Sequence, residues 1–222
     1  MAVAHLADVL LVVPTLNEEE GLPSVLADAR KLGVETLVLD AGSQDRTREI
    51  AGEYDVPVVT VSRGKARGWR EFLASKDFNG WNRLAMVDGD GTYDLDALPL
   101  MAASSADMVV GLRRGIPGET PRIRAVGARA LSLIASITTG ARCPDLLSGM
   151  RVIRVERLRQ VTLRSNGFEL ETELTIEFVR RGFRVDWIPV NYRRRMGNSK
   201  LNPLREGVRI LWSIYRTGTR RV

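Results

Sequence analysis

The sequence predicts a single α/β domain: a mostly parallel central sheet with helices on both faces and a Rossmann-like first half. Three observations predict it. Short apolar runs alternate with segments of helical periodicity through the first half of the chain, the pattern of a sheet whose strands are joined by crossover helices. Acidic or Gly-rich turns follow several of those runs, where open α/β sheets bind ligands. Finally, 222 residues with a 44% hydrophobic share suffice for one sizeable core.

In chain order, strands are expected near residues 9–13, 35–39, 57–61, 83–87 and 107–111, with helices near 20–32, 45–53, 65–76 and 95–103. After Gly111 the pattern changes. Gly115, Pro117, Gly118 and Pro121 signal a loop, and a long apolar helix is expected over roughly 122–139. A helix near 169–181 and a strand near 183–190 follow. Asn202-Pro203 marks a break before a last helix, about 203–216, with Leu204, Val208, Leu211, Trp212 and Tyr215 on a helical period. No internal repeat is present.

Composition narrows the function. The net charge is +6, with the basic excess concentrated from Arg180 onward, which suits phosphorylated substrates or an anionic lipid surface. No zinc module or aromatic RNA platform accompanies it, so no nucleic-acid partner is expected. The single cysteine, Cys143, excludes an intrachain disulfide and reads as a small buried residue. The one histidine, His5, precedes the first strand, so a His-centred mechanism is not expected. No signal-peptide core and no run of 18 apolar residues is seen.

The most informative motif is Asp88-Gly89-Asp90, which ends the apolar run Arg83–Val87. Two carboxylates at a strand's carboxyl end suit a hard divalent cation, Mg2+ or Mn2+. Such a cation would neutralise a diphosphate that bare carboxylates repel. Asp40-Ala41-Gly42-Ser43-Gln44-Asp45 follows a second apolar strand. Gly42 allows a tight turn, and Ser43 or Asp45 can cap the next helix; an ordinary capped turn explains this segment equally well. Val12–Glu20 runs from a strand toward a helix, where the three glutamates suit a helix N-terminus.

Taken together, VVPTLNEEEG, VLDAGSQDRT, RGKARG, MVDGDGTYD, VVGLRRG, DLLSGMRVIR, GFELETEL and IPVNYRRRMGNSKL, in this order, resemble the family-2 inverting glycosyltransferases. The similarity runs from about Leu10 to Leu201 and is greatest to the dolichyl- and polyprenyl-phosphate hexosyltransferases, the dolichol-phosphate mannosyltransferase-like branch. It implies a GT-A-type fold and a metal-dependent transfer of hexose from a GDP- or UDP-sugar to dolichyl or polyprenyl phosphate. A sugar or small-molecule hydroxyl is the alternative acceptor. A nucleotidyltransferase would need a glycine-rich loop where PTLNEEEG stands.

The resemblance also assigns residues. Residues 1–111 form the nucleotide-sugar and metal half, 112–202 the acceptor half and 203–222 the terminal amphipathic helix. Pro14, Thr15, Asn17, Glu18, Asp40, Gly42, Ser43, Lys65, Asp88 and Gly89 fall in the nucleotide site. Asp40 is the base acceptor, whereas Ala41 stands where many relatives carry a second aspartate. Lys65, with Gly64 and Arg67, matches a glycine-lysine turn near the donor, or is a solvated helix start. Asp88, Asp90 and Thr92 form the metal set, with Thr92 in place of the mannose branch's usual glutamine. Arg113, Arg124 and Arg129 match acceptor-phosphate positions, although a surface arginine explains each as well; Ala128 departs from a hydroxyl residue common in that branch. Tyr192, Arg195, Ser199 and Lys200 match Y-x-x-R-x-G-x-S-K, where Arg195 and Lys200 would hold the diphosphate and Gly197 would let the loop turn. Asp145 is the catalytic carboxylate of the acceptor side, as orienter or base, or else a structural partner. Glu169 and Glu171 match an acidic segment, but read equally as helix-surface residues. Many relatives continue into transmembrane helices; here the expected location is cytoplasmic, peripheral on the inner face of the cell membrane, with the terminal helix on the lipid or packed on the core.

Overall fold

The computed structural model describes residues 6–75, 78–115, 122–196 and 203–219, with side chains excepted at 115, 122–124, 203 and 204. A 3-10 turn, Leu6–Asp8, leads into β1 (Val9–Thr15), α1 (Leu22–Leu32), β2 (Glu35–Asp40), α2 (Thr47–Glu53), β3 (Val58–Thr60), α3 (Lys65–Ser75), β4 (Arg83–Met86), α4 (Leu98–Ala103) and β5 (Met108–Gly115). The second half contains α5 (Arg122–Thr139), β6 (Arg151–Arg154), α6 (Val155–Leu158), α7 (Leu170–Arg180), β7 (Val185–Tyr192) and α8 (Pro203–Gly218). His5 lies outside the described residues.

The seven strands form one sheet in the order β3-β2-β1-β4-β6-β5-β7. β1 pairs in parallel with β2 and β4, β2 with β3, and β5 with β7; β6 alone runs against its neighbours β4 and β5. The expected mostly parallel sheet is present, and each expected strand and helix has a counterpart. β6 and α6 were not expected. Only Val152 and Ile153 separate Arg151 from Arg154, so β6 lacks the apolar run that marks a buried strand.

Alternation along β1 builds the core. Val9, Leu11 and Val13 face one layer with Leu22, Val25 and Leu26 of α1. Leu10 and Val12 face the other with Trp69 and Phe72 of α3 and Leu174 and Phe178 of α7. A third cluster joins Ala135 of α5, Ile176 of α7 and Ile210 and Ile214 of α8, with Cys143 buried among them. α8 thereby covers α7, whose residues Leu170–Phe178 are all buried.

Arg151 is the largest fully buried side chain. Its Nε donates to the Ser148 carbonyl at 3.0 Å, Nη2 to the Leu146 carbonyl at 3.0 Å and Nη1 to the Thr175 hydroxyl at 2.7 Å. It gathers the loop that precedes its own strand and ties it to α7. Removing it strands these acceptors away from water, so Arg151→Met should lower unfolding stability by on the order of 2–4 kcal/mol. Urea denaturation followed by circular dichroism checks this; an unchanged midpoint would contradict the loop-gathering role.

Candidate active site

The carboxyl ends of β1, β2 and β4 bring together three of the expected segments. Thr15 pairs with Asp40 in register, and its hydroxyl donates to the Leu39 carbonyl at 3.3 Å. The turns after β1 and β2 are laced to each other. Asn17 adopts a left-handed backbone, φ 52°; its N–H donates to Ser43 Oγ and its Oδ1 accepts from the Gln44 N–H, both at 2.8 Å. The Glu18 N–H donates to Thr47 Oγ1 at 2.9 Å. Asp45 accepts from the Thr47 N–H at 3.0 Å from one position before the N-cap, Arg46, which makes no side-chain cap bond itself. Pro14 is half-buried within β1.

Asp40 is fully buried in this lacing. Its carboxylate accepts from the Gly42 N–H at 3.2 Å, from the Ser43 N–H and hydroxyl, and from Arg48 Nε at 2.6 Å. Gly42 is left-handed, φ 87°, which glycine adopts without a Cβ penalty. Burial opposes ionisation of Asp40, but the bonds from Ser43 and Arg48 outweigh it and hold the carboxyl below its usual range. Asp40 thus organises the β2–α2 turn, a structural role that a base-binding one would have to share.

Asp88 and Asp90 each anchor a carboxylate–cation–carboxylate triad. On one side the Lys65 ammonium lies between Asp88 and Glu171. On the other, Arg195 donates to Asp90 at 2.8 Å and to both Glu18 oxygens at 2.6 and 2.7 Å. Among the described residues, four carboxylates therefore face two cations. Burial and then the Asp88 charge push the Asp90 carboxyl above its usual range, against the opposing pull of Thr92 and Arg195. Burial alone would favour neutral Lys65, but attraction to Asp88 and then Glu171 wins and keeps it protonated.

The expected metal residues meet in this arrangement. Asp88 and Asp90 are hard oxygen donors, the chemistry of a Mg2+ or Mn2+ site completed by substrate phosphates. No cluster of three or more His, Cys, Asp or Glu ligands exists among the described residues, so phosphate oxygens and water would have to supply the rest. Thr92 is buried and donates to Asp90 Oδ1 at 2.6 Å; it orients that carboxylate. Gly89 packs its backbone against Thr15, 2.9 Å from where a Cβ would stand. At Gly149 a Cβ would meet the Asp88 carboxylate, which would have to shift from its place beside Lys65.

The residues expected on the acceptor side centre on one ion pair. Arg113 Nε and Nη2 donate to Asp145 at 2.8 and 2.7 Å, and the Arg113 backbone N–H adds a bond at 3.0 Å. The guanidinium lies 5.1 Å from the Tyr192 ring centroid, and Tyr192 meets Tyr93 edge-on at 5.1 Å. Burial disfavours the Arg113 charge, but the Asp145 bonds overcome that and hold it protonated. Tyr93 is buried, and its hydroxyl accepts from the Gly149 N–H at 2.8 Å.

Not every expected residue joins. Arg67 pairs with Glu71 at 3.2 Å on the exposed side of α3. Arg129 is exposed on α5. The side chain of Arg124, and Gly197, Ser199 and Lys200, lie outside the described residues. Glu171 corrects the surface reading of α7: it is buried, with its carboxylate against Lys65 of α3. Glu173 is buried too, accepting from the Arg164 and Ser165 N–H groups at 2.9 and 2.8 Å. Arg48, Tyr93, Gly149 and Arg151 were missed, since each acts through a contact that no local pattern encodes.

The family model described as glycosyl transferase family 2 matches residues 10–162. The dolichyl-phosphate hexose transferase of Haloferax volcanii is 33% identical over 94% of this chain and 93% of its own length. Glycosyltransferase AglJ of the same organism is 36% identical over 94% of this chain and 71% of its own. The undecaprenyl-phosphate mannosyltransferase of Micrococcus luteus is 31% identical, covering 87% of each. Among solved structures, glucosyl-3-phosphoglycerate synthase from Mycobacterium tuberculosis, in complex with Mn2+ and UDP-glucose, superposes with a TM-score of 0.76 and 21% identity over 100% of this chain and 85% of that one. That likeness establishes the GT-A-type fold alone. The family match over residues 10–162 and the relatives above 30% identity do more: the chain belongs to glycosyltransferase family 2.

Proposed function

We propose that this glycosyltransferase moves a hexose, with inversion, from a UDP- or GDP-sugar to dolichyl or polyprenyl phosphate, using Mg2+ or Mn2+. The observation that carries the proposal is the pair of triads that hold Asp88 and Asp90 at the carboxyl ends of the strands, with four carboxylates against two cations among the described residues. Asp88 and Asp90 would hold the cation, and its charge would stabilise the departing nucleoside diphosphate. The names of two relatives, a dolichyl-phosphate hexose transferase and an undecaprenyl-phosphate mannosyltransferase, support the acceptor class.

In this reading an acceptor phosphate oxygen attacks the anomeric carbon. A new C–O bond forms as the bond from that carbon to the diphosphate oxygen breaks, with its electron pair leaving on the diphosphate. A phosphate is already anionic at neutral pH, so no side chain needs to remove a proton. The commitment of both Asp145 oxygens to Arg113 favours this acceptor over a hydroxyl, which would need a carboxylate base. Asp145 positions Arg113, whose planar fork suits phosphate. Arg195 would turn toward the diphosphate, and the nucleotide would lie across Thr15, Asn17, Glu18, Asp40 and Ser43. Roles for Lys200, Ser199 and Arg124 are proposed on the motif match alone.

A lipid acceptor places the enzyme at a membrane. No helix among the described residues is long and apolar enough to cross one. α8 buries Ile210 and Ile214 while Val208, Leu211, Trp212 and Tyr215 stay exposed, Trp212 at 61%. α5 adds exposed Val126, Leu133, Ile134 and Ile137. Such faces, with Arg205 and Arg209 exposed on α8, suit peripheral binding to an anionic bilayer on the cytoplasmic side.

Three outcomes test these proposals. Asp90→Ala should nearly abolish transfer while leaving the fold intact, and excess chelator should do the same to the parent; full turnover in chelator would refute the metal role. Arg113→Ala should lose transfer to lipid phosphate yet keep nucleoside-diphosphate binding by calorimetry. Parent-rate transfer by that variant would place the acceptor phosphate elsewhere. Replacing Leu211 and Trp212 by Glu should reduce salt-sensitive co-sedimentation with phosphatidylserine vesicles; equal binding by parent and variant would reject α8 as the membrane face. Substitution is preferable to truncation, because the opposite face of α8 is core.

A further inference from the structure

The Lys65 triad sets a puzzle. A lysine bonded to a metal-binding aspartate competes with the metal for it. Here that lysine is almost enclosed, its side chain 11% exposed, beside an Asp88 that is 30% exposed. Glu171, at 6%, meets the same ammonium from α7. The ammonium therefore has two anionic partners, one turned inward and one toward the opening.

We propose that Glu171 is a positioning residue for Asp88: by taking up the Lys65 charge from behind, it leaves Asp88 negative enough to accept a divalent cation. The proposal rests on the metal reading above. Without the Glu171 charge, Lys65 would pair with Asp88 alone and neutralise it. With it, Lys65 fixes the Asp88 rotamer while the triad keeps one net negative charge for the cation. The low-dielectric setting makes this charge count matter more than it would in water.

The backbone does not depend on the triad. The Ala66 N–H donates to the Gly167 carbonyl at 3.1 Å, and Arg70 donates to Asn166 Oδ1 at 2.6 Å, so α3 is fastened to the approach of α7 by other bonds. An uncharged substitute for the Lys65–Glu171 pair is therefore compatible with the fold, as buried ion pairs replaced by matched neutral groups often are.

The test measures binding of Mn2+ alone by electron paramagnetic resonance of the free ion, for the parent, Glu171→Gln and the double variant Lys65→Met/Glu171→Gln. Urea unfolding confirms that each is folded. Glu171→Gln should bind Mn2+ more weakly by on the order of tenfold. The double variant, which removes the competing cation together with the carboxylate, should return to within about threefold of the parent. A purely structural ion pair predicts no such recovery. The proposal is overturned if Glu171→Gln binds as the parent does, or if the double variant stays as weak as the single one. If Glu171→Gln does not fold, the double variant against the parent decides: near-parent affinity upholds the proposal, and a tenfold loss overturns it. If the parent binds no Mn2+ alone, the same comparison is made with UDP or GDP present, because phosphate oxygens complete the site; no binding there either would overturn the metal reading itself, a distinct result that removes this proposal with it.

Discussion

Two carboxylates of like charge, set one residue apart at the end of β4, are the constraint around which the rest of this protein is arranged. Left alone in a partly buried site they would repel and one would take a proton. The chain answers by bringing Lys65 from α3 to Asp88 and Arg195 from beyond β7 to Asp90. Those cations come from opposite halves of the sequence, so the pair of aspartates also fastens the two halves together at the catalytic edge. Backbone bonds follow the same course: the Arg193 N–H donates to the Thr92 carbonyl at 2.8 Å and the Met196 N–H to the Asp90 carbonyl at 3.1 Å.

The proposed acceptor side obeys the same rule at lower charge. Arg113 and Asp145 lie 32 residues apart in sequence, and each would be costly to bury without the other. The aromatic pair Tyr93–Tyr192 closes the space beneath them, and the Tyr93 hydroxyl holds Gly149 against Asp88. The metal side and the acceptor side are thus joined through Tyr93, a residue that is neither charged nor exposed.

Much of this was legible in the sequence, and the remainder has physical reasons for being hidden. The apolar runs of β1, β2 and β4 announce themselves because parallel strands are buried on both faces, and Asp40, Asp88 and Asp90 follow at their ends. β6 was invisible because Arg151 and Arg154 bracket it, and nothing local shows that Arg151 is satisfied internally by carbonyls and a hydroxyl. Glu171 read equally as a surface residue, since glutamate is rarely buried; only the tertiary contact with Lys65 of α3 reverses that. Asp40 and Asp145 were visible as residues but their partners were not. Whether a carboxylate faces a ligand or an arginine is settled by tertiary contact alone.

The reversed direction of β6 has a consequence for the acceptor loop. In a wholly parallel sheet, the segments at the catalytic edge leave their strands there and can wander. Because β6 runs the other way, residues 145–150 enter their strand at that edge, and sheet pairing of Arg151 clamps one end. The Arg113–Asp145 bonds clamp the other. A loop held at both ends has little conformational freedom left to lose on binding a ligand. Its ordering is complete at folding, so in the proposed acceptor role the entropy cost of assembling this segment would fall on folding and not on each round of binding.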